Sequence, residues 1–115
     1  MKHSIYKIET GNQKYYGYTS RPPKERYKEH LNSAKEGNNK LYKALKKNKM
    51  KHSFEIVGSY DNEVDALVKE IALIHEDNTT EVGLNTSTGG EGKTMTVNKI
   101  EKNGKVHLSI IPKEI

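Results

Sequence analysis

The chain has no cysteine in its 115 residues. That excludes a disulfide-held scaffold, a zinc site built on thiolates and thiol catalysis, and it fits a reducing interior. No apolar run is long enough to cross a membrane, and no signal-peptide pattern opens the chain, so a soluble intracellular protein is expected. Apolar residues are scarce as well, at 32%, and mean hydropathy is -0.93. A chain of this length and polarity makes one domain with a small core and at most a small appendage. The apolar residues recur periodically, which a disordered chain would not show.

Charge is present in quantity but unevenly spread. Residues 1–60 carry 14 Lys and Arg against 5 Asp and Glu, a net of +9, whereas residues 61–115 carry 6 against 10, a net of -4. A basic half on a small domain points to a polyanion partner, most often nucleic acid; the plain alternative is a lysine-rich solvated surface.

The organising stretch is Ile5-Tyr6-Lys7-Ile8, a Gly11-Asn12-Gln13 break, then Lys14-Tyr15-Tyr16-Gly17-Tyr18. Two short β-branched and aromatic runs about a Gly/Asn turn predict two antiparallel strands. Tyr6 and Ile8 then share one face, as do Tyr15 and Gly17. Pro23 suits a first helical turn, and helix one is expected over Lys24 to Lys35, stopped by Gly37. Tyr27, Leu31 and Ala34 form its expected buried stripe, with Arg26 and His30 one turn apart on an adjacent face. A short helix from Lys40 to Asn48 follows, capped by Asn39, with Leu41, Tyr42 and Leu45 on its apolar side. Its other side is lysine: Lys40, Lys43, Lys46 and Lys47.

Ser53 to Val57 reads as a third strand. Helix three starts after Asp61-Asn62 and runs to Glu76, with Val64, Leu67, Val68, Ile71 and Ile74 as its core stripe. Glu70 stands among these apolar residues, where a carboxylate is costly unless partnered. A polar loop, 82–92, leads to two alternating runs, Thr94 to Ile100 and Val106 to Ile111, about Asn103-Gly104; this is a hairpin signal. Val106, Leu108 and Ile110 share one face of it. Gly89-Gly90-Glu91-Gly92-Lys93-Thr94 imitates part of a phosphate-binding loop. Ser87 stands where that pattern needs glycine and strand composition follows, so a nucleotide site is rejected.

Taken together, Ile5-Tyr6, Tyr15-Tyr16-Gly17, the helix from Lys24 to His30, Glu70 and Gly83-Leu84-Asn85 resemble the GIY-YIG nuclease family over residues 4–92. Ser4 departs from the first glycine of its GIY motif, and Tyr16 from the aliphatic of YIG; neither change removes a catalytic side chain. The resemblance implies an α+β fold: a small three-stranded antiparallel sheet flanked by helices, residues 1–92. A C-terminal β-hairpin, 93–115, is added to it. It implies hydrolysis of DNA phosphodiester bonds with a divalent cation, Mg²⁺ or Mn²⁺. The implied catalytic residues are Tyr6, Tyr15, Arg26, His30, Glu70 and Asn85, with Glu70 holding the metal. Leu41-Tyr42-Lys43-Ala44-Leu45 and Ser53-Phe54-Glu55-Ile56 are most similar to the phage and mobile-element branch, the homing endonucleases among them. A bacterial or phage-infected cytoplasm is the implied setting.

Those residue types suit the reaction. One carboxylate can hold one Mg²⁺ that keeps most of its waters. Arg26 offers a fork of donors to a phosphate oxygen. A free phenol titrates near pH ~10, so a tyrosine base needs cationic neighbours to lower its pKa; cleavage would then rise from pH 6 toward 9. Plain alternatives are hairpin packing for the tyrosines, an Arg26 pair with Glu29 or Glu25, a packed His30, and a turn-forming Asn85. The cations expected at DNA are Lys14, Arg21, Lys24, Lys28, Lys40, Lys43 and Lys47. The hairpin has three open uses: extending the sheet, a homodimer contact, or DNA. The rival readings are a non-catalytic nucleic-acid-binding module and a nuclease acting on single-stranded DNA or RNA.

Overall fold

A computed structural model describes residues 2–86 with their side chains, and 95–102 and 105–112 as backbone. Strand β1 (His3–Thr10) and strand β2 (Gln13–Thr19) are followed by helix α1 (Pro23–Ser33) and helix α2 (Lys40–Lys47). Strand β3 (Ser53–Tyr60), helix α3 (Glu63–Glu76), strand β4 (Met95–Lys102) and strand β5 (Lys105–Pro112) complete the order. The main sheet runs β2-β1-β3, antiparallel throughout, and β4 and β5 pair as a separate hairpin. This is the α+β, three-stranded architecture expected. The loop from Gly89 to Thr94, the Asn103-Gly104 turn and the faces of the hairpin side chains lie outside the described residues.

Local chemistry explains each boundary. Gly11 and Asn12 both take positive φ, 56° and 67°, the pairing a two-residue hairpin turn requires. Pro23 opens α1. The Asn39 side chain caps α2 by accepting from the Tyr42 amide at 2.9 Å, and Asn62 caps α3 by accepting from Val64 at 2.7 Å. Ser4 keeps its place in both ladders, opposite Thr19 and Ser59, without the glycine.

The sheet buries both faces. Tyr6 and Ile8 pack with Ala34, Leu41, Ala44, Leu45 and Leu84, against α1 and α2. Ile5 and Tyr18 pack on the other side with Ala66 and Leu67 of α3. Three expectations are corrected here. Within α1 the buried residue is His30, 2% exposed, while Tyr27 and Leu31 are only half-buried. The helix therefore turns its Arg26–His30 row inward, which is tolerable because both His30 nitrogens find partners. Val64 is 42% exposed and lies off the α3 core stripe, which runs through Ala66, Leu67, Glu70, Ile71 and Ile74. Gly37 does not stop α1 through a positive φ: the helix closes at Ala34, and the Gly37 amide donates to the Ser33 carbonyl at 2.7 Å.

Gly17 faces Tyr6 across the β1–β2 ladder. A Cβ there would sit 2.3 Å from Tyr6 Cζ and 2.4 Å from its oxygen. The ring cannot retreat, being buried and hydrogen-bonded. Gly17→Ala is expected to destabilise the fold by about 1–3 kcal/mol through overpacking; a thermal melt with an unchanged midpoint would contradict this seating of the ring.

Candidate active site

Tyr6 on β1 and Tyr15 on β2 point to the face covered by α1, because their positions share the parity of the Tyr6–Gly17 and Ile8–Tyr15 register. Their rings lie 6.2 Å apart, centre to centre, and each meets the His30 ring at 5.6 Å, edge-on. The Tyr6 hydroxyl is 2.6 Å from His30 Nε2, a buried contact between sheet and helix. Phe54 on β3 stacks on Tyr6 at 5.4 Å, and Tyr27 stacks on Phe54 at 4.4 Å, walling the cluster.

Arg26 lies one turn before His30 and acts electrostatically on Tyr6, Tyr15 and His30. Its Nη1 also donates to Glu29 at 3.1 Å. Glu29 accepts in addition from Arg21 Nη1 at 2.8 Å, so one carboxylate steadies two guanidinium groups. Those two donors hold the Glu29 carboxyl down to about 2. The Arg26–Glu29 pair and the orientation toward the tyrosines therefore coexist.

Glu70 comes from α3 and is 6% exposed. It lies close enough to Tyr15 to disfavour its phenolate. Two phenols, an imidazole, a guanidinium and a carboxylate from four elements thus converge. Among the described residues no group of three or more His, Asp or Glu is placed to enclose a metal. One buried carboxylate beside a phenol nonetheless fits a hard divalent cation that keeps most of its own waters.

Asn85 has a different position. Its Oδ1 accepts from the Tyr16 amide at 3.0 Å and the Thr79 hydroxyl at 2.8 Å, and its Nδ2 donates to the Tyr16 carbonyl at 2.8 Å. Both ends of the amide are occupied in clamping the backbone beside Tyr15, which is the turn-forming alternative extended to a strand edge. The segment docks closely: the Leu84 amide donates to the Lys14 carbonyl at 2.9 Å, and a Cβ on Gly83 would lie 2.7 Å from that same oxygen. Tyr16, in the aliphatic position of the motif, turns to the opposite face and donates its hydroxyl to Asp77.

Comparisons with known proteins bear on the family and the fold. The GIY-YIG catalytic domain model matches residues 2–85. The chain belongs to the GIY-YIG family. Its fold is similar to the catalytic domain of the intron endonuclease I-TevI, with a TM-score of 0.69 at 23% identity, over 80% of this chain and 100% of that one. No curated protein matches the sequence.

Within this GIY-YIG site the electrostatics depart from expectation. Tyr6 is pushed well above the ordinary phenol range, chiefly by burial and secondarily by Tyr15, and Arg26 only partly offsets this. Tyr15 is raised too, again by burial first. The cation neighbour does not outweigh burial, and both phenols are held in the protonated form. His30 moves the other way, down to about 4, through burial and then Arg26. It is neutral at pH 7.

The cations separate into two groups. Arg21 is engaged by Glu29, Lys40 donates to the Thr80 carbonyl at 2.8 Å, and Lys14 lies 3.6 Å from Asp77. Lys24, Lys28, Lys43 and Lys47 are exposed and make no ion pair among the described residues. Tyr42, read from sequence only as an apolar residue of α2, belongs to the site: its hydroxyl is 3.1 Å from His30 Nδ1. No sequence signal marks it, since a tyrosine on an amphipathic helix reads equally well as packing.

The depressed His30 pKa has a consequence for stability. Between about 4 and the ordinary value of 6.5 the unfolded chain binds a proton at this position and the folded chain does not. Its contribution to stability is therefore complete above pH 6.5 and is lost as pH falls toward 4. Unfolding midpoints measured over that window should fall for the wild type, and fall less steeply for His30→Gln; equal slopes would show that His30 is not buried neutral.

Proposed function

We propose that this chain is a divalent-metal-dependent endonuclease that hydrolyses DNA phosphodiester bonds. The observation that carries the reading is the buried 2.6 Å contact between Tyr6 and His30 Nε2, beside Arg26. Tyr6 keeps its proton at rest. As a water attacks phosphorus, that water gives a proton to the Tyr6 oxygen while Tyr6 passes its own to the neutral His30. A paired transfer of this kind needs no free phenolate, which the raised phenol pKa argues against. Tyr15 orients the water next to Tyr6. Arg26 meets the charge that develops on the phosphoryl oxygens. Glu70 would hold a Mg²⁺ or Mn²⁺ ion, which when bound supplies Lewis acidity and stabilises the leaving oxygen. Asn85 acts as a positioning residue, fixing β2 through the Tyr16 backbone. Residues 1–92 form the catalytic unit in this reading, with the β4–β5 hairpin as an appendage.

Plasmid incubated with Mg²⁺ tests the reading directly. Wild type should nick it, Glu70→Ala should not, and Arg26→Ala should lose on the order of 100-fold or more in rate. Equal cleavage by wild type and Glu70→Ala, or binding with no cleavage by either, would sink it, the second result in favour of a binding module. Parallel single-stranded DNA and RNA substrates read the preferred strand state.

The exposed lysines are proposed to track phosphates. Each contact should contribute about -0.9 to the slope of log affinity against log salt on duplex DNA. Lys43→Ala with Lys47→Ala should flatten that slope by about 2; an unchanged slope would remove α2 from the DNA-facing surface.

A further inference from the structure

Each ring nitrogen of His30 makes a hydrogen-bond contact, and the reaction just described uses one of the two. Nε2 faces Tyr6, and Nδ1 faces the Tyr42 hydroxyl at 3.1 Å. A neutral imidazole carries one proton, so one nitrogen donates and the other accepts. Which does which decides whether Tyr6 can release its proton to His30.

We propose that Tyr42 is a positioning residue of the active site: its oxygen accepts the Nδ1–H of His30, which leaves Nε2 unprotonated and aimed at the Tyr6 hydroxyl. This deepens the nuclease reading and rests on it. When His30 takes the Tyr6 proton, both its nitrogens donate, one to the Tyr6 oxygen and one to Tyr42. The same contact that fixes the tautomer thus also stabilises the imidazolium.

The surroundings hold Tyr42 to this task. Its amide is fixed by the Asn39 cap at 2.9 Å, so the first turn of α2 sets where the side chain leaves the helix. Its ring lies over Gly37, where a Cβ would come within 2.4 Å of Cδ2 and 2.8 Å of the Ser33 carbonyl oxygen. Gly37 is thus bare where the ring must pass, a use for that glycine unrelated to ending α1. The ring meets His30 edge-on, at 5.9 Å and 63°. Tyr42 is also felt by Tyr15 and Arg26, which puts its oxygen within the same cluster. A residue serving only the apolar side of α2 would not need its hydroxyl here.

Tyr42→Phe removes the oxygen and keeps the ring, while Tyr42→Leu removes both. With plasmid and Mg²⁺, Tyr42→Phe should lower kcat about 3- to 10-fold, the worth of one hydrogen bond, with KM little changed. Nitrogen-15 NMR of His30 in the metal-free chain should show the Nδ1–H tautomer in wild type and a mixture with Nε2–H in Tyr42→Phe. A wild-type His30 protonated on Nε2 overturns the proposal. So does full activity in Tyr42→Phe with loss only in Tyr42→Leu, which would assign the ring and not the oxygen. If wild type cleaves nothing, the nuclease reading fails, and the tautomer measurement still decides the Tyr42 contact for or against.

Discussion

The Tyr6–His30 contact is the constraint around which the rest is arranged. It joins the central strand to the first helix through two buried polar groups, each of which would be costly if left unpaired. Satisfying it dictates much else. Gly17 must be bare for the Tyr6 ring to lie across β2. Helix α1 must rotate to send His30 inward, which leaves Tyr27 and Leu31 only half-covered. The same rotation carries Arg26 toward both tyrosines, because positions four apart share a helix face.

Burial then decides the charge states. Removing phenols from water disfavours their anions, and removing an imidazole disfavours its cation. Arg26 pulls the phenols down but pushes the imidazole down as well. The outcome is a neutral phenol facing a neutral imidazole; on the proposed function, a proton moves through that pair only as another arrives. A site in which the cation had prevailed over burial would present a phenolate, with a different dependence on pH.

Most of the fold was legible in the sequence because its signals are local. The Gly11-Asn12 turn, the Asn39 and Asn62 caps and Pro23 each act within a few residues of themselves. Tyr6, Tyr15, Arg26, His30 and Glu70 were legible as a set only through the order of motifs. What sequence did not yield depends on packing partners. Helix α1 offers two stripes, Tyr27-Leu31-Ala34 and Arg26-His30, and periodicity favours the apolar one; the polar one turns inward because Tyr6 and Tyr42 wait there to satisfy it. Val64 fits the α3 period, but it stands at the first turn and remains exposed. The sequence suits Asn85 to a turn or to the reaction alike, because the bonds of its amide to β2 and Thr79 join it to residues distant along the chain or in a separate turn. The sign of the tyrosine shifts was beyond reach, because it turns on depth of burial weighed against one guanidinium.

The same distinction limits what the basic half can do. Counting charge treats every cation alike, yet Arg21 is held by Glu29, and Lys40 is used on the carbonyls of Thr80 and Asn85, bracing the segment that clamps β2. The exposed remainder considered for DNA, Lys24, Lys28, Lys43 and Lys47, are ammonium groups. Point charges of this kind suit phosphate, whereas reading a base edge rewards forked or amide side chains. Phosphate contacts position a protein without carrying sequence information. On the proposed function, the described unit is therefore equipped to grip a backbone and cut it, and any choice of target sequence has to be supplied by surfaces other than the lysines of α1 and α2.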